Sequence, residues 1–475
     1  MVFSTNIFVF VFLTTSILGY YLMDKKYRNY FLLLVSILFY AWGEPKFVLV
    51  MLLSVVVNYI LGLAVYYTDL LNNQKRKKIV LIVTVIFNFS LLFVFKYLNF
   101  IIKNLNYIIG DRIPQTNIVL PIGISFFTFQ AVSYVIDVYR KKATVQKSPL
   151  DVGLYIAFFP QLIAGPIVRY ETIANQIKYR IESFDDFAVG VKRFIIGLSK
   201  KVILANNMSL VADAAFAASA GGNSSIAMAW LGAIAYSFQI LFDFSGYSDM
   251  AIGLGLMFGF HFEENFNYPY ISSSITEFWR RWHISLGTWF RDYVYFPLGG
   301  SRVKTKRKLV VNLLVVWVFT GIWHGASWNF VAWGILYFIL ITFEKLTGYP
   351  VKFRTLIAKQ VYRIFTLLCI LGGWVLFRAE NLSIAINYVK NMLGKGTVGL
   401  INEQFSYNIH ENWALLLICV VCSTPLIKYI LYKIPNNKFV HIKEIIVAMF
   451  YLFLFLISIS FMVTSTHNPF IYFNF

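Results

Sequence analysis

The chain has 475 residues, of which 59% are hydrophobic and 13% are charged, and its formal net charge is +20. Soluble domains carry about 25% charged residues, so this composition excludes a soluble globular protein. Long apolar runs predict an all-α polytopic membrane protein, because the strands of a membrane β-barrel are ~10 residues long and alternate in polarity. The excess of Lys and Arg then indicates orientation and contact with membrane lipids, and favours no nucleic-acid partner.

Hydropathy predicts about 11–13 membrane segments along the chain. They cover residues 5–23, 30–43, 46–68, 79–102, 153–169, 187–210, 226–260, 308–326, 328–346, 361–377, 413–433 and 443–463. The stretch 226–260 is long enough for two spans, or for one span and a re-entrant piece. No repeat or linker divides the chain, so residues 1–475 are predicted to be a single membrane-embedded domain.

Basic residues flank the first spans unevenly. Lys25, Lys26 and Arg28 follow the first predicted span, and four basic residues at 75–78 follow the third. Cytoplasmic loops are enriched in Lys and Arg, so the N-terminus is predicted to lie outside. No basic region precedes the first apolar run, which therefore predicts a retained span rather than a cleaved signal peptide.

Proline and glycine interrupt two apolar stretches. Residues 158–166 contain Pro160, Gly165 and Pro166, and residues 121–125 begin with a proline and contain a glycine. Proline removes a backbone donor and clashes with the preceding helical turn. Irregular backbone at membrane depth occurs only inside protein or along a watery cavity, so these stretches predict broken or re-entrant helices. A kinked spanning helix explains residues 158–166 equally well.

Two carboxylates, Asp243 and Asp249, lie in an apolar setting on either side of Gly246. Ionisable groups in membrane segments are costly, so both are candidate substrate-binding residues. The alternative is that they cap or bridge backbone freed by a helix break near Gly246. The following Gly255 and Gly259 have the spacing that permits close helix packing.

Ser274 and Glu277 have the spacing of a helix-capping box, which predicts a helix over about 277–293. Trp279, Trp282, Leu286, Trp289 and Tyr293 would form one face of it. Basic flanks and aromatic anchors are typical of a helix lying at the membrane interface. Arg280, Arg281 and His283 are therefore candidates for the mouth of a site for an anionic donor, although the helix could equally serve only as an anchor.

His324 follows an apolar run and lies between Gly321 and Gly325. A histidine inside a span is by default a candidate functional residue, and the alternative is a histidine bonded to a neighbouring helix. The glycines leave room for a neighbouring helix or a substrate. The C-x-x-C pair Cys419 and Cys422 has no second pair, so we interpret it as packing and predict no metal site.

The chain lacks a G-x-S-x-G elbow, an H-E-x-x-H helix and a Walker phosphate loop. These motifs would indicate a serine nucleophile, a zinc hydrolase and a nucleotide-binding site. A histidine without either a serine or a metal fits general-base activation of an acceptor hydroxyl.

Several longer motifs resemble those of the membrane-bound O-acyltransferase family. They lie at residues 242–253, 265–270, 278–286, 295–302 and 323–326, and further similar segments lie at 159–170, 374–380 and 469–472. The turn at Pro297, Leu298, Gly299 and Gly300 is similar to the alginate O-acetyltransferase branch and disfavours the teichoic-acid D-alanylation branch.

The resemblance implies a helical fold with a central funnel and re-entrant or broken helices. It implies that His324 is the catalytic histidine, that His283 occupies the family's second characteristic position, and that the neighbouring Trp323 is a candidate substrate-binding residue. It further implies transfer of an acetyl or short acyl group from a cytosolic thioester, acetyl-CoA above all, to hydroxyls of an extracytoplasmic polysaccharide. No bound cofactor is expected.

The same resemblance implies a multi-pass protein of a bacterial inner (cytoplasmic) membrane, working with an exported SGNH-hydrolase-like acetyltransferase partner. The residues leave two other functions open, a transporter or flippase for acyl groups or lipid-linked glycans, and a D-alanyl or lipid O-acyltransferase of the same family. Helix rise from Lys308 predicts that His324 lies toward the outer side, with His283 near the basic cytoplasmic edge.

Overall fold

The structure is a computed structural model that describes residues 2–433, 440–465 and 467–471, and these residues form helices without any strand. The first ten helices are α1 Thr14–Leu22, α2 Arg28–Gly43, α3 Val48–Leu70, α4 Gln74–Leu92, α5 Leu98–Ile109, α6 Ile124–Tyr139, α7 Pro149–Ala157, α8 Phe159–Leu162, α9 Tyr170–Tyr179 and α10 Phe184–Ser199. The remaining helices are α11 Asn206–Ala220, α12 Ile226–Met257, α13 Ile275–Arg281, α14 Ile284–Phe290, α15 Lys306–His324, α16 Trp328–Thr347, α17 Leu356–Arg378, α18 Leu382–Met392, α19 Glu403–Cys422, α20 Leu426–Lys433 and α21 Val440–Thr464.

Short π-helical and 3-10 segments extend several of these helices. The π-helical segments are Ile7–Leu13, Phe93–Tyr97, Lys200–Ala205 and Arg291–Tyr295, and the 3-10 segments are Lys25–Tyr27 and Pro269–Ile271. Ile7–Leu13 runs directly into α1, and Lys200–Ala205 joins α10 to α11.

Within the described ranges, nine helical stretches are long and apolar enough to cross a membrane, and the shorter stretches Ile7–Leu22 and Ile124–Tyr139 are also apolar. The prediction of an all-α polytopic membrane protein is therefore confirmed. The stretch 226–260 contains one continuous helix, α12, so the prediction of two spans or a re-entrant piece there is wrong. Helix α12 continues through Gly246 without a break. A side chain at Gly246 would lie 2.7 Å from the carbonyl oxygen of Gly197. The glycine permits close packing instead.

The described residues divide into two compact units. The first comprises residues 2–195 and 247–263, and the second comprises residues 196–246, 264–433, 440–465 and 467–471. The predicted single domain over 1–475 and the predicted central funnel stay predictions.

In the first unit, buried amides link two membrane helices. Asn58 of α3 and Asn88 of α4 donate to each other's side-chain oxygens at 3.0 and 2.8 Å. Such bonds favour helix pairing where no water competes. The predicted break over 158–166 is confirmed, because α7 ends at Ala157 and the four-residue α8 is followed by a turn. The chain also changes direction before α6, where Gly123 has a φ of +76°.

In the second unit, α15 and α16 pack closely through two glycines. A side chain at Gly321 would lie 2.4 Å from the carbonyl oxygen of Phe330, and one at Gly334 would lie 2.5 Å from that of Trp317. A side chain at Gly325 would overlap the Phe330 ring at 2.2 Å. The space predicted at Gly321 and Gly325 is thus filled by the neighbouring helix α16, which fixes the position of the end of α15.

Candidate active site

His324 is the last residue of α15 and is enclosed by aromatic rings. Its imidazole lies 4.9 Å from the ring of Trp323, 5.1 Å from Trp333 and 5.1 Å from Phe377, measured between ring centroids. Only 3% of its surface is exposed. The ring is therefore enclosed by aromatic side chains of α15, α16 and α17.

His283 lies where the predicted helix over 277–293 is broken. Helix α13 ends at Arg281 and α14 begins at Ile284, and His283 between them has φ +44° and ψ +55°. This left-handed conformation is unfavourable for a residue with a side chain and is often associated with functional sites. The prediction of one continuous helix is therefore wrong, although its capping is correct, since Ser274 Oγ accepts from the Glu277 N–H at 3.0 Å.

The aromatic face of this segment is also placed differently from the prediction. Trp282, Leu286, Trp289 and Tyr293 are buried, and Trp279 packs edge-on against Trp317, Trp333 and Tyr337 of α15 and α16. A ring face buried against helices of the same unit does not act as a membrane anchor.

The two histidines belong to one cluster. The ring of Trp323 lies 6.1 Å from His283 and 4.9 Å from His324, so this indole contacts both imidazoles. The prediction that His283 lies back at the basic edge, apart from His324, is wrong. Sequence spacing along a continuous helix could not reveal the turn that brings His283 beside Trp323.

Asn265 fixes the tautomer of His283. Its side-chain oxygen lies 3.1 Å from His283 Nδ1, and it accepts from the backbone N–H of Ser285 at 3.2 Å and from Ser285 Oγ at 2.9 Å. A backbone N–H can only donate, so the Asn265 atom facing it must be the oxygen. His283 Nδ1 therefore carries a proton, and in the neutral ring Nε2 carries the lone pair.

The charge state of His283 follows from its surroundings. Burial, together with the neighbouring His324, holds the pKa of the His283 imidazole well below its ordinary value. The side chain is 2% exposed and its ring packs edge-on against Phe244 at 4.5 Å. His283 is consequently neutral at physiological pH, with Nε2 able to accept a proton or a hydrogen bond.

The two predicted arginines are placed on α13, just before His283. Arg280 is exposed, and Arg281 pairs with Glu277 at 2.9 Å, as its i,i+4 spacing predicts. Arg281 also donates to the backbone oxygen of Asn267 at 3.1 Å. The role of both arginines in binding an anionic donor stays a prediction.

Asp243 is buried in a different set of contacts. Its carboxylate lies 2.6 Å from Lys201 Nζ and accepts from the backbone N–H of Ile471 at 2.9 Å. Lys201 also donates to the carbonyl oxygen of Pro469. Both charged side chains are 1% exposed, so the pair holds the segment 469–471 against α12. No sequence pattern marked Lys201, which lies in a helix with no acidic residue nearby.

Asp249 lies in the first unit and pairs with Arg193 at 2.9 Å. The helix α12 is continuous past both aspartates, so neither caps a helix break near Gly246. Among the residues that the structure describes, no three His, Cys, Asp or Glu side chains come together in a way that could hold a metal ion.

Comparison with known proteins identifies the family to which the chain belongs. Residues 37–379 match the MBOAT, or membrane-bound O-acyltransferase, family. The chain belongs to this family and is an O-acyltransferase with a multi-pass membrane fold.

The chain is similar to several named bacterial proteins of this kind. The chain is 44% identical to the probable alginate O-acetylase AlgI of Pseudomonas aeruginosa, over 84% of this chain and 76% of the relative. It is 33% identical to the peptidoglycan O-acetyltransferase of Helicobacter pylori, over 100% of this chain and 98% of the relative. It is also 33% identical to the teichoic acid D-alanyltransferase of Bacillus subtilis, over 49% of this chain and 62% of the relative.

Proposed function

We propose that this chain transfers an acetyl group from a cytosolic thioester, acetyl-CoA, to hydroxyl groups of an extracytoplasmic polysaccharide. The buried cluster of His283, Trp323 and His324 carries the proposal, because it brings two buried imidazoles to the same indole ring. The named O-acetylating relatives match most or all of the chain, whereas the D-alanyltransferase matches 49% of it, which favours acetyl over D-alanyl.

In the proposed reaction His324 is the general base. It takes the proton of the acceptor hydroxyl while the hydroxyl oxygen attacks the thioester carbonyl. The new C–O bond forms, the C–S bond breaks, and the proton passes from His324 to the departing sulfur. His283, held in one tautomer by Asn265, would accept a hydrogen bond at Nε2 and thereby orient a reactant.

The charge distribution in the second unit supports an arrangement in which the basic helix ends face the cytoplasm and His324 faces the opposite side of the membrane. Lys306, Arg307 and Lys308 begin α15, and Lys352 and Arg354 lie between α16 and α17. The positive-inside rule places these ends in the cytoplasm. His324 ends α15 about 27 Å away, at a helix rise of ~1.5 Å per residue, and so faces the extracytoplasmic side. We propose separately that the N-terminus lies outside the bacterial inner membrane, because basic residues follow the first predicted span.

The acetyl group would reach its glycan directly or through an exported SGNH-hydrolase-like partner. The test uses membranes that carry the wild-type chain, supplied with radiolabelled acetyl-CoA, and follows label in glycan and in protein. We expect His324→Ala to abolish transfer and His283→Ala to reduce it. His410→Ala is the matched control, because His410 is 86% exposed. Equal labelling by wild type and His324→Ala would overturn the proposal and favour a transporter whose partner performs the chemistry.

A further inference from the structure

A cavity of about 1050 Å³ lies in the second unit beside the histidine cluster. It is lined by residues of α11, α12, the start of α16, the end of α17, the start of α18 and the segment 468–471. Phe377 lines this cavity, and its ring lies 5.1 Å from the His324 imidazole. Phe377 therefore adjoins both the cavity and the proposed base.

The cavity wall offers hydrogen-bond acceptors. Gln239 and Asn329 line it, and both are at least 96% buried. Asn329 Nδ2 donates to the carbonyl oxygens of Leu376 and Ala379 at 3.2 and 2.6 Å, which fixes the orientation of its amide. Within the described part of the chain, neither Gln239 Oε1 nor Asn329 Oδ1 has a donor. A ligand with hydroxyl donors would satisfy both oxygens and remove the cost of burying them alone.

The charges of the cavity wall do not favour an anion. Arg378 is engaged by the carboxylate of Asp213, and its guanidinium lies 4.4 Å from the Phe216 ring and 5.0 Å from the Tyr236 ring. The remaining charged side chain of the described wall is Glu380, which is exposed. The wall therefore carries one more negative than positive charge, and an acidic sugar would be repelled.

We infer that this cavity is the acceptor subsite and that it takes an uncharged, hydroxyl-rich sugar in preference to a uronate. The inference rests on the proposed function and specifies its acceptor. The side-chain oxygens of Gln239 and Asn329 would accept hydrogen bonds from the hydroxyls of such a sugar. The acceptor would then differ in charge from the acidic polysaccharide named for the Pseudomonas relative.

A charge-reversal series tests the inference. Membranes carrying the wild type, Glu380→Gln or Glu380→Lys receive radiolabelled acetyl-CoA and either a cello-oligosaccharide or an oligouronate of equal length. We expect the wild type to acetylate the neutral sugar faster. Glu380→Lys should raise the oligouronate-to-neutral rate ratio by about three- to tenfold, because it replaces repulsion of the uronate by attraction. Glu380→Gln should fall between them, and added salt should shrink the differences.

The possible negative results distinguish a failure of this inference from a failure of the proposed function. If the wild type prefers the oligouronate, if the Glu380 series leaves the ratio unchanged, or if label reaches protein alone, this cavity is not a subsite for a neutral sugar, and the proposed function survives. The same holds if acetyl-CoA is consumed in a His324-dependent way without labelling either sugar. Absence of any His324-dependent consumption of acetyl-CoA would overturn the proposed function itself.

Discussion

The side-chain oxygen of Asn265 lies 3.1 Å from Nδ1 of His283 and also accepts two hydrogen bonds from Ser285. This contact joins the loop before α13 to the break between α13 and α14. It fixes both the tautomer and the orientation of an imidazole whose backbone is in the left-handed region. Asn265 therefore positions His283, whose ring lies 6.1 Å from the ring of Trp323.

Substitution of Asn265 should reveal this role. We expect Asn265→Leu to lower the rate of acetyl transfer by about tenfold or more, since positioned acid–base groups contribute 10²–10⁴-fold. Asn265→Asp keeps the acceptor oxygen and should retain more activity. Its added negative charge should raise the pKa of His283 and move the acid limb of the rate profile to higher pH. Rates of both variants across pH check this, and an unshifted acid limb in Asn265→Asp would argue that the residue acts only in packing.

The pH dependence of the wild type should reflect the lowered pKa of His283. Because burial favours the neutral ring, lowering the pH from 8 should not protonate His283 until well below the ordinary histidine value of about 6.5. Protonation removes the Nε2 lone pair, so the contribution of His283 to transfer should be lost only at that lower pH. The measurement is kcat/KM against pH in detergent-solubilised protein. An acid limb at about 6.5 in the wild type that shifts when His283 is replaced by Asn would contradict a neutral, buried His283, because that limb would then depend on His283 and not on His324 alone.

The buried pair of Lys201 and Asp243 should matter for stability rather than for donor binding. Removing one partner of a buried pair costs about 3–5 kcal/mol, because the other charge is left uncompensated. Asp243→Asn should therefore lower the thermal unfolding temperature markedly, while the exposed Asp111→Asn control should not. A stable Asp243→Asn protein with a raised KM for acetyl-CoA would instead favour the substrate-binding role that the sequence predicts.

The close packing of α15 and α16 gives a matched pair of glycine substitutions. Gly321→Ala places a methyl group 2.4 Å from the backbone oxygen of Phe330, so the helices must separate, and we expect a loss of about 1–3 kcal/mol. Gly372 of α17 has no atom within 4 Å of the corresponding position. Gly372→Ala should be neutral or stabilising by about 0.5–1 kcal/mol. Denaturation in detergent compares the two, and equal stability would mean that α15 and α16 do not need this contact.

Much of the architecture could be predicted from local patterns in the sequence. Apolar runs such as that of α15 exclude a soluble fold, because only a helix satisfies its own backbone hydrogen bonds inside a bilayer. Prolines at 160 and 166 predicted the break after α7, and the Ser274–Glu277 spacing predicted the start of α13. These features depend on neighbours within a few residues, which the sequence shows directly.

The sequence by itself determined that the chain is an all-helical membrane protein with His283 and His324 as its leading candidate residues. The tertiary structure decided that these histidines share one aromatic cluster, that Asn265 orients His283, and that Asp243 pairs with Lys201. Asn265 and His283 are 18 positions apart, and Asp243 and Lys201 are 42 apart. Contacts over such separations arise from helix packing and from a left-handed turn at a histidine, and local periodicity carries no signal of either.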